Sequence, residues 1–425
     1  MTQRQNTVPS AGDTANERPL RILLVTQYFW PENFQINHLV RALHDRGHSV
    51  EVLTGKPNYP NGRFFDGYSA FGRPHEFFEG IPVRRVPLIP RGNGGSLRLA
   101  MNYLSFAVSA TLAGLAKIRG EFDCIFVYAP SPITACLPAL AIGRKTGAPV
   151  VLWVQDLWPE SVTAASSAKS LRHAMPLLNW LVGSIYRGCA RILIQSRAFR
   201  ASIESFAIRP ERIAYLPQSV DALFKQVPPC EEVPAALLDP GFKIVFAGNI
   251  GQAQDFETLV EAADRLRNMP ARWIILGDGR RREWLSGEIR RRKLETQVAL
   301  PGSFPETAMP GFFAHADALL VMLRDEPIFA LTIPTKVQAY LACGKPIIAA
   351  LKGEGARIVE ESEAGVTARP GDPHSLAAAV VRLMQSTPVE RAKMGARGLA
   401  YSRENFDRDM LVDRLVGLLR GARSE

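Results

Sequence analysis

The chain has 425 residues, more than one ordinary hydrophobic core supports and enough for two domains of about 200 residues each. Its hydrophobic content of 47% and charged content of 22% are those of a globular protein. Lysine and arginine outnumber aspartate and glutamate by 51 to 41. This surplus favours an anionic partner without choosing among a phosphorylated ligand, a nucleic acid and an anionic membrane. The five cysteines are scattered without a C-x-x-C spacing, so reduced thiols in the cytosol are expected.

The N-terminus is polar, and residues 1–19 are predicted to be a disordered lead-in without a signal peptide. Apolar strands then alternate with helical segments up to residue 218. The predicted strands of this half are 21–29, 49–55, 82–89, 124–129, 149–156, 191–196 and 212–218. Continuous apolar strands separated by helices predict a parallel sheet covered on both faces. Residues 20–218 are therefore expected to form an N-terminal Rossmann-like domain.

One segment of this half raises the question of a membrane. "LAMNYLSFAVSATLAGLA", residues 99–116, carries no charge over 18 residues and is flanked by Arg98 and Lys117. Its length reaches the lower limit for a spanning helix, but it also contains four polar side chains. We expect a helix that is buried against the sheet or lies at a bilayer surface, and does not span the bilayer.

Residues 219–240 lose the alternating pattern and gather prolines, which is typical of an interdomain linker. The pattern restarts in residues 241–400, which predict a second Rossmann-like domain. Its predicted strands are 242–248, 272–279, 298–302, 318–323 and 347–350. Residues 401–425 are a helical segment that could cross back to the first domain. Two doubly wound α/β domains in tandem predict a ligand cleft at the carboxyl ends of their strands.

Two strand ends of the second half carry glycine pairs. "FAGNIGQAQD" (246–255) contains Gly248 and Gly251, and "ILGDGRRREW" (275–284) contains Gly277 and Gly279. Such glycines can let backbone amides approach a phosphate, or they can belong to ordinary β–α turns. The arginine run that follows is interpreted as a solvated helix face.

The stretch "PIFALTIPTKVQAYLACGKPIIA" (327–349) is a stronger signal. Lys336 lies where a helix should begin after the turn at Pro334, and a cation there opposes the helix dipole. An anionic ligand such as a diphosphate would compensate this unfavourable position. The alternative is a buried apolar helix with a chance lysine at its start.

In the first half, acids and aromatic side chains gather at three strand ends. These are "TQYFWPENFQINHL" (26–39) with Glu32, "PNYPNGRFFDGY" (57–68), and "WVQDLWPES" (153–161) with Asp156. Aromatic rings suit sugar stacking at the ligand edge of a sheet. Helix capping by Asp156 and a plain Ω-loop at 57–68 remain open alternatives. The seven histidines show no metal spacing, so no metal site is expected.

In order along the chain, these motifs resemble those of the retaining glycosyltransferases of family 4, which have the two-domain GT-B fold. The series "QYFWPEN", "PNYP", "DLWPES" and "IPTKVQAYLACGKP" is similar to bacterial surface-polysaccharide transferases of the O-antigen type, such as L-fucosamine transferases. The resemblance implies transfer of an N-acetyl amino-deoxy sugar from a UDP-sugar to a lipid-linked (polyprenyl diphosphate) saccharide. It implies no metal cofactor.

The resemblance also implies roles for residues of the second domain. Ser303 and Phe304 would face the uracil, and the loop 331–336 would hold the diphosphate. Ala330 and Gln338 stand where the broader family has the two glutamates of its E-x7-E motif, so Glu354 is the candidate acid near the ribose. The full set of expected donor-binding residues is Gly248, Asn249, Gly277, Gly279, Ser303, Phe304, Leu331, Thr332, Pro334, Thr335, Gln338 and Glu354.

For catalysis, Lys336 and the amides of Thr332 and Thr335 are expected to stabilise the leaving UDP. Asp156 would position the donor sugar or the acceptor hydroxyl, and Glu32 would be a second polar contact. The expected acceptor-binding residues are Tyr28, Asn33, Asn58, Tyr59, Ser131 and Glu160.

The expected location is cytoplasmic, on the inner face of the inner membrane. Four arginines of the first half, beside the segment 99–116, would face anionic lipid; they are Arg84, Arg85, Arg91 and Arg98. A UDP-N-acetylglucosamine 2-epimerase-like isomerase and a non-catalytic UDP-sugar-binding scaffold are the alternative functions. Nucleic-acid binding is disfavoured, because the arginines are spread along helices without a reading motif.

Overall fold

The structure, a computed structural model, describes residues 18–165 and 171–423. The predicted lead-in therefore lies outside the described residues, except for Arg18 and Pro19. The chain divides into two compact units. Unit 1 takes the described residues up to Asp156, Arg187–Arg191, and those from Val416 onward, and unit 2 takes the described residues of 157–186 together with Ile192–Leu415. The stretch 219–240 falls inside unit 2 by this division, so its role as a linker stays a prediction.

The first sheet has eight strands among the described residues. In chain order they are β1 (Arg21–Val25), β2 (Ser49–Gly55), β3 (His75–Phe78), β4 (Ile81–Val86), β5 (Cys124–Ala129), β6 (Val150–Val154), β7 (Arg191–Ile194) and β8 (Ile213–Tyr215). Their order across the sheet is β3-β4-β2-β1-β5-β6-β7-β8. β1 pairs in parallel with β2 and β5, and the short β3 runs antiparallel to its neighbour β4.

The second sheet has six parallel strands in the described part of the chain. They are β9 (Phe242–Ala247), β10 (Ala271–Leu276), β11 (Val298–Gly302), β12 (Ala318–Met322), β13 (Ile347–Ala350) and β14 (Gly365–Ala368). Their order is β11-β10-β9-β12-β13-β14, so the chain reverses direction across the sheet between β9 and β12. This is a doubly wound arrangement, which places loops of successive strands at one edge.

Helices connect the strands of both sheets. Those before the second sheet are α1 (Gln35–Asp45), α2 (Ser96–Lys117), α3 (Cys136–Thr146), α4 (Glu160–Ala165), α5 (Leu171–Gly188) and α6 (Phe199–Glu204). The later ones are α7 (Phe256–Arg265), α8 (Arg282–Arg292), α9 (Met309–Ala314), α10 (Pro327–Leu331), α11 (Thr335–Ala342), α12 (Glu354–Glu361), α13 (Pro373–Gln385), α14 (Pro388–Phe406) and α15 (Arg408–Gly421). The predicted alternation of parallel strands and helices is confirmed in both halves.

The second sheet is buried on both faces because its central strands carry runs of apolar residues, such as Ile244–Ala247 in β9. Ile244 and Phe246 of β9 belong to one hydrophobic cluster, and Val245 between them belongs to another on the opposite face. Successive side chains of a strand point to opposite faces, so a continuous apolar run fills two cores at once. The predicted coverage of this sheet on both faces is therefore confirmed.

Helix α2 contains the uncharged segment. Within the described residues it is the one helix whose length and apolar composition would suffice to cross a membrane. Five of its residues are nevertheless buried, and it packs against α3 and strands β2 and β4. The buried residues are Asn102, Phe106, Ala107, Ala110 and Gly114.

Candidate functional site

Three glycines at the carboxyl ends of β9 and β10 pack against one another. Gly248, Gly277 and Gly279 have φ values of +135°, +150° and +158°, which other residues rarely adopt. A Cβ on Gly277 would lie 1.9 Å from the carbonyl oxygen of Gly248, and one on Gly279 would lie 2.4 Å from that of Ile250. The sequence therefore needs glycine here for both conformation and space.

These glycines do not offer free amides, contrary to one of the two interpretations above. The N–H of Gly248 donates to Leu276 O (2.8 Å) and that of Gly277 donates to Gly302 O (2.8 Å). The N–H of Gly279 donates to the Asp278 carboxylate (2.7 Å). Backbone and side-chain partners thus use these donors already. The glycines act here by allowing close packing of the turns.

The absence of a side chain at Gly248 leaves space for the side chain of Lys336. A Cβ on Gly248 would lie 2.7 Å from both Cε and Nζ of Lys336. The ammonium sits 4.0 Å from the ring centroid of Phe246 and, among the described residues, forms neither an ion pair nor a hydrogen bond. Burial lowers the pKa of Lys336 to about 8. A largely desolvated, unneutralised cation at a strand end is equipped to receive an anion.

Lys336 is the second residue of α11, as the sequence predicted. Pro334 precedes the helix, and no side chain caps its first N–H groups. The expected loop 331–336 is shorter in the structure, because Leu331 ends α10 and Thr335 begins α11. Only Thr332, Ile333 and Pro334 lie between the two helices. An anion at this point would meet uncapped N–H groups and the Lys336 ammonium together.

The two side chains expected near the ribose face other partners. Gln338 is buried and its Nε2 donates to Gln218 O (2.8 Å). Glu354 is also buried, accepts from Arg357 Nη2 (2.7 Å) and accepts from the Arg197 N–H (3.3 Å). A ribose contact would therefore require either side chain to leave its present partner.

Other expected donor residues lie at exposed or half-buried positions after strands. Ser303 follows β11 and is exposed, and Phe304 beside it packs edge-on against Phe312 with ring centroids 5.2 Å apart. Asn249 is exposed in the turn after β9. These positions are compatible with ligand contact.

The arginine run after β10 is not simply a solvated face. Arg281 is half-buried, pairs with Glu257 and lies 3.8 Å from the ring of Trp284. Arg324, at the end of β12, pairs with the same Glu257 (3.1 Å). The interpretation of Arg281 as solvated is wrong, because Glu257 lies 24 residues away in the chain and its position could not be read from the local sequence.

In unit 1, Glu32 faces inward. It is 1% exposed, and its Oε1 accepts from the N–H groups of Asn58 and Tyr59, both at 2.8 Å. Its Oε2 accepts from the N–H of Phe29 (3.1 Å). Burial raises the pKa of Glu32 to about 7, against the lowering effect of these hydrogen bonds. The geometry favours a positioning role for Glu32, which joins two loops, over the direct substrate contact expected from the sequence.

An aromatic wall lies beside these loops. Tyr28 stacks on Phe34 with centroids 5.3 Å apart, and Tyr59 lies 5.2 Å from Phe34. The guanidinium of Arg91 lies 5.7 Å from the Tyr28 ring and 5.1 Å from the Tyr59 ring, and its Nη1 donates to the Tyr28 hydroxyl (2.8 Å). Asn58 is buried, and its Oδ1 accepts from the Arg91 N–H (3.1 Å). Tyr28 and Asn58 therefore build the wall, and Tyr59 exposes part of its ring.

Asp156 follows β6 and its side chain reaches solvent. The protein around it nevertheless raises its pKa to about 6 by desolvation. With this pKa, the carboxylate is ionised at neutral pH. Its charge acts on Tyr103, which hydrogen-bonds with Ser131 and Tyr28. Asp156 and Ser131, both predicted, thus share a polar cluster with Tyr103, which sequence reasoning missed inside the apolar segment.

Two further expected acceptor residues are placed apart from this cluster. Asn33 is exposed in the turn before α1. Glu160 begins α4 in unit 2, where it accepts a hydrogen bond from the hydroxyl of Ser202.

The four arginines that were expected to face lipid differ in their exposure. Arg85 is 3% exposed, pairs with Glu76 and donates to Gly55 O (3.0 Å), so its assignment to a membrane-facing surface is wrong. Arg84 pairs with Glu51 (3.4 Å), and Arg91 lies on the aromatic wall. Only Arg98 of the four is exposed. In residues 18–165 and 171–423, no group of His, Cys, Asp and Glu side chains could hold a metal ion.

Two family descriptions match consecutive parts of the chain. The glycosyl transferase 4-like domain matches residues 33–218, and glycosyl transferases group 1 matches residues 241–386.

Curated relatives cover most of the chain. A probable glycosyltransferase WbjE of Pseudomonas aeruginosa is 26% identical over 349 residues, 79% of this chain and 84% of the relative. A putative colanic acid biosynthesis glycosyl transferase WcaI of Escherichia coli is 27% identical over 402 residues, 90% of this chain and 94% of the relative.

A solved structure supports the fold. HepE of Anabaena, crystallised with UDP, is similar with a TM-score of 0.65 and 16% identity over 95% of this chain and 100% of the other. At this identity the likeness concerns the fold alone. The expected GT-B architecture of two Rossmann-like domains is confirmed.

Proposed function

Because the chain is a glycosyltransferase with a glycosyl transferase 4-like domain and a group 1 domain, we propose that it builds a surface polysaccharide. It transfers an N-acetyl amino-deoxy sugar from a UDP-sugar to a lipid-linked saccharide, with retention at the anomeric carbon. Support for the class of product comes from the relative named for colanic acid biosynthesis.

The observation that carries the donor assignment is the ammonium of Lys336. It is held beside Phe246 under a glycine turn, without an anionic partner in the described residues, at the uncapped start of α11. A nucleoside diphosphate supplies two phosphates that suit a cation and free N–H groups. UDP is the nucleotide that the similar Anabaena protein was crystallised with.

The chemistry asked of these groups is stabilisation of a leaving group. As the bond between the sugar and UDP breaks, negative charge grows on the departing phosphate, and a preorganised cation stabilises that charge more than the ground state. In front-face transfer the departing phosphate takes the proton of the acceptor hydroxyl. No metal is invoked in this proposal, and Asp156, ionised and exposed, orients a sugar hydroxyl.

We further propose that the acceptor binds to unit 1 at a membrane surface. Asp156, Ser131 and Tyr103 form the polar cluster there, and Tyr103 belongs to α2. The outward side of α2 carries six large apolar side chains, each between 39% and 77% exposed. They are Leu97, Met101, Leu104, Val108, Leu112 and Leu115. We place this apolar stripe on the cytoplasmic face of the inner membrane, where a polyprenyl-linked acceptor is found.

Replacement of Lys336 tests the donor assignment. UDP affinity of Lys336→Gln is expected to fall about 10- to 100-fold, the worth of one charge-assisted hydrogen bond. Wild-type affinity should be constant below pH 8 and fall by up to about tenfold per pH unit above it, because the ammonium loses its proton. Isothermal titration calorimetry across pH 6.5–9.5 measures both effects.

The matched control is Lys352→Gln, since Lys352 is exposed in the same unit and pairs with Asp325. It should keep both the affinity and the pH dependence. Equal UDP affinity of wild type and Lys336→Gln would refute the leaving-group role.

Acceptor dependence separates the proposal from its rivals. A transferase releases UDP from a UDP-sugar only when a polyprenyl-diphosphate saccharide is present. An epimerase-like isomerase would act on the UDP-sugar alone, and a binding scaffold would release nothing with any acceptor.

A further inference from the structure

We propose that Arg91, in unit 1, binds the diphosphate of the lipid-linked acceptor, whereas Lys336, in unit 2, binds that of the donor. This inference rests on the proposed function, because it names the group of the acceptor that unit 1 recognises. The candidate ligand is a phosphate ester next to an apolar chain.

The first argument is that Arg91 has donors to spare. A guanidinium carries five N–H donors, and one nitrogen of Arg91 donates to the Tyr28 hydroxyl. In the described part of the chain, no carboxylate forms an ion pair with Arg91, whereas the half-buried Arg84, Arg281, Arg324 and Arg391 each have one. A half-buried arginine that has no carboxylate partner is suited to a bidentate contact with phosphate.

The second argument is preorganisation. The Arg91 N–H donates to Asn58, and the N–H of Gly92 donates to Gly62 O (2.8 Å). A Cβ on Gly62 would lie 1.8 Å from Gly92 O, so the two loops touch without room for a side chain. The guanidinium then lies on the rings of Tyr28 and Tyr59, which fix its plane. A cation held in place loses little entropy when its ligand arrives.

The third argument is location along the chain. Arg91 is five residues before Ser96, where α2 begins, and the apolar stripe starts at Leu97. Five residues span at most about 18 Å. If α2 lies on the bilayer, Arg91 is near the depth of the headgroups, where the diphosphate of a polyprenyl lipid is found. The half-exposed ring of Tyr59 offers an apolar surface beside it.

Binding of farnesyl diphosphate tests the site directly, because this probe has the diphosphate and a short prenyl chain. Titrations are made on the full chain with the donor site saturated by UDP, so that Lys336 does not contribute. Arg91→Gln should weaken binding about 10- to 100-fold, and Arg91→Lys should recover part of the loss. Arg63→Gln, an exposed arginine on a neighbouring loop, is the control and should bind as wild type does.

Two other probes identify the source of the phosphate. Farnesol lacks the diphosphate, so its binding should be equal in wild type and Arg91→Gln; an equal loss for farnesol and farnesyl diphosphate would mean that the variant only disturbs the wall. Vesicles of phosphatidylglycerol should bind both proteins alike. If Arg91→Gln lost vesicle binding and kept farnesyl diphosphate binding, the site would serve lipid headgroups and the inference would be overturned.

A second variant, which keeps Arg91, tests the same site in case Arg91→Gln does not fold. Tyr28→Phe removes the hydroxyl that orients the guanidinium and should weaken farnesyl diphosphate binding about threefold to tenfold, at an unchanged melting temperature. The outcome does not depend on glycosyl transfer. Binding that is lost in both variants supports the site even if the donor proves not to be a UDP-sugar, and binding that is kept in both refutes it.

Discussion

The carboxylate of Glu32 is buried, and it accepts hydrogen bonds from three backbone N–H groups. Those N–H groups belong to Phe29, Asn58 and Tyr59, so one side chain joins the loop after β1 to the loop after β2. Desolvation still outweighs the hydrogen bonds and raises its pKa to about 7. Burial therefore destabilises the ionised form of Glu32, although this side chain joins the two loops of the site.

This balance predicts a pH dependence of stability. The folded-state pKa of about 7 lies above the ordinary value of 4.5, so the folded protein holds the proton more tightly than the unfolded chain does. The free energy of unfolding should then fall as pH rises from about 4.5 to 7, by up to about 3 kcal/mol from this group. In Glu32→Gln this contribution is absent and the profile is flatter.

Urea denaturation between pH 4 and 8 measures the difference between the two proteins. The subtraction matters, because other groups such as Asp156 titrate in the same range. Glu121→Gln, which changes an exposed glutamate of unit 1, should keep the wild-type slope. Parallel profiles for wild type and Glu32→Gln would show that folding does not raise the pKa of Glu32.

At the scale of elements, the sequence predicts the strands well because they are buried on both faces. A run such as "CIFVYA" at β5 needs no long-range information to be recognised as an interior strand. The edge hairpin of β3 and β4 was missed in part, since β3 has the mixed pattern of an exposed edge. The start of α11 after Pro334 is predicted from the sequence, but the short helix α10 before it is not.

In the candidate site, too, the sequence predicts features that depend on local pattern and does not predict those that depend on long-range contacts. Lys336 could be found from the sequence, because its unusual feature is local: a cation at the first turn of a helix. The inward orientation of Glu32 and the ion pair of Arg85 could not be found, because their partners are 26 and 9 residues away in other elements. A side chain at the ligand edge of a sheet can face the substrate or the backbone, and only the fold decides which.

Because the glycine turns are closely packed, replacing one of these glycines by alanine should destabilise the protein. Gly277→Ala would place a Cβ 1.9 Å from the Gly248 carbonyl at a φ of +150°, so both the turn and the cover over Lys336 must move. We expect a loss of about 2 kcal/mol or more in the free energy of unfolding, together with weaker UDP binding.

Gly287→Ala is the matched control within the same unit. Gly287 lies inside α8 with open space around it, so alanine should be neutral or stabilise the protein by up to about 1 kcal/mol. Urea titration with tryptophan fluorescence compares the variants. If both alanines had the same effect, the close packing of the turns would not be a constraint.

For the whole molecule, the formal charge of +10 and the apolar stripe on α2 act together. α2 packs one face on unit 1 through Asn102 and Phe106, whereas its stripe faces solvent along a helix of about 33 Å. Arg98 and Lys117 lie at its two ends and are exposed. An apolar surface that is flanked by cations suits the boundary between acyl chains and anionic headgroups.

The wild-type protein is therefore expected to bind vesicles that contain phosphatidylglycerol, and to bind them less tightly as salt screens the cations. Replacing both Leu104 and Leu112 by glutamate puts two like charges on the stripe and should lower the partition coefficient at least about tenfold. Both side chains are exposed, so the fold should persist. Leu238→Glu changes an exposed leucine of unit 2 and controls for added negative charge. Equal vesicle binding by the double variant and Leu238→Glu would remove α2 from the membrane surface, even if the transferase assignment held.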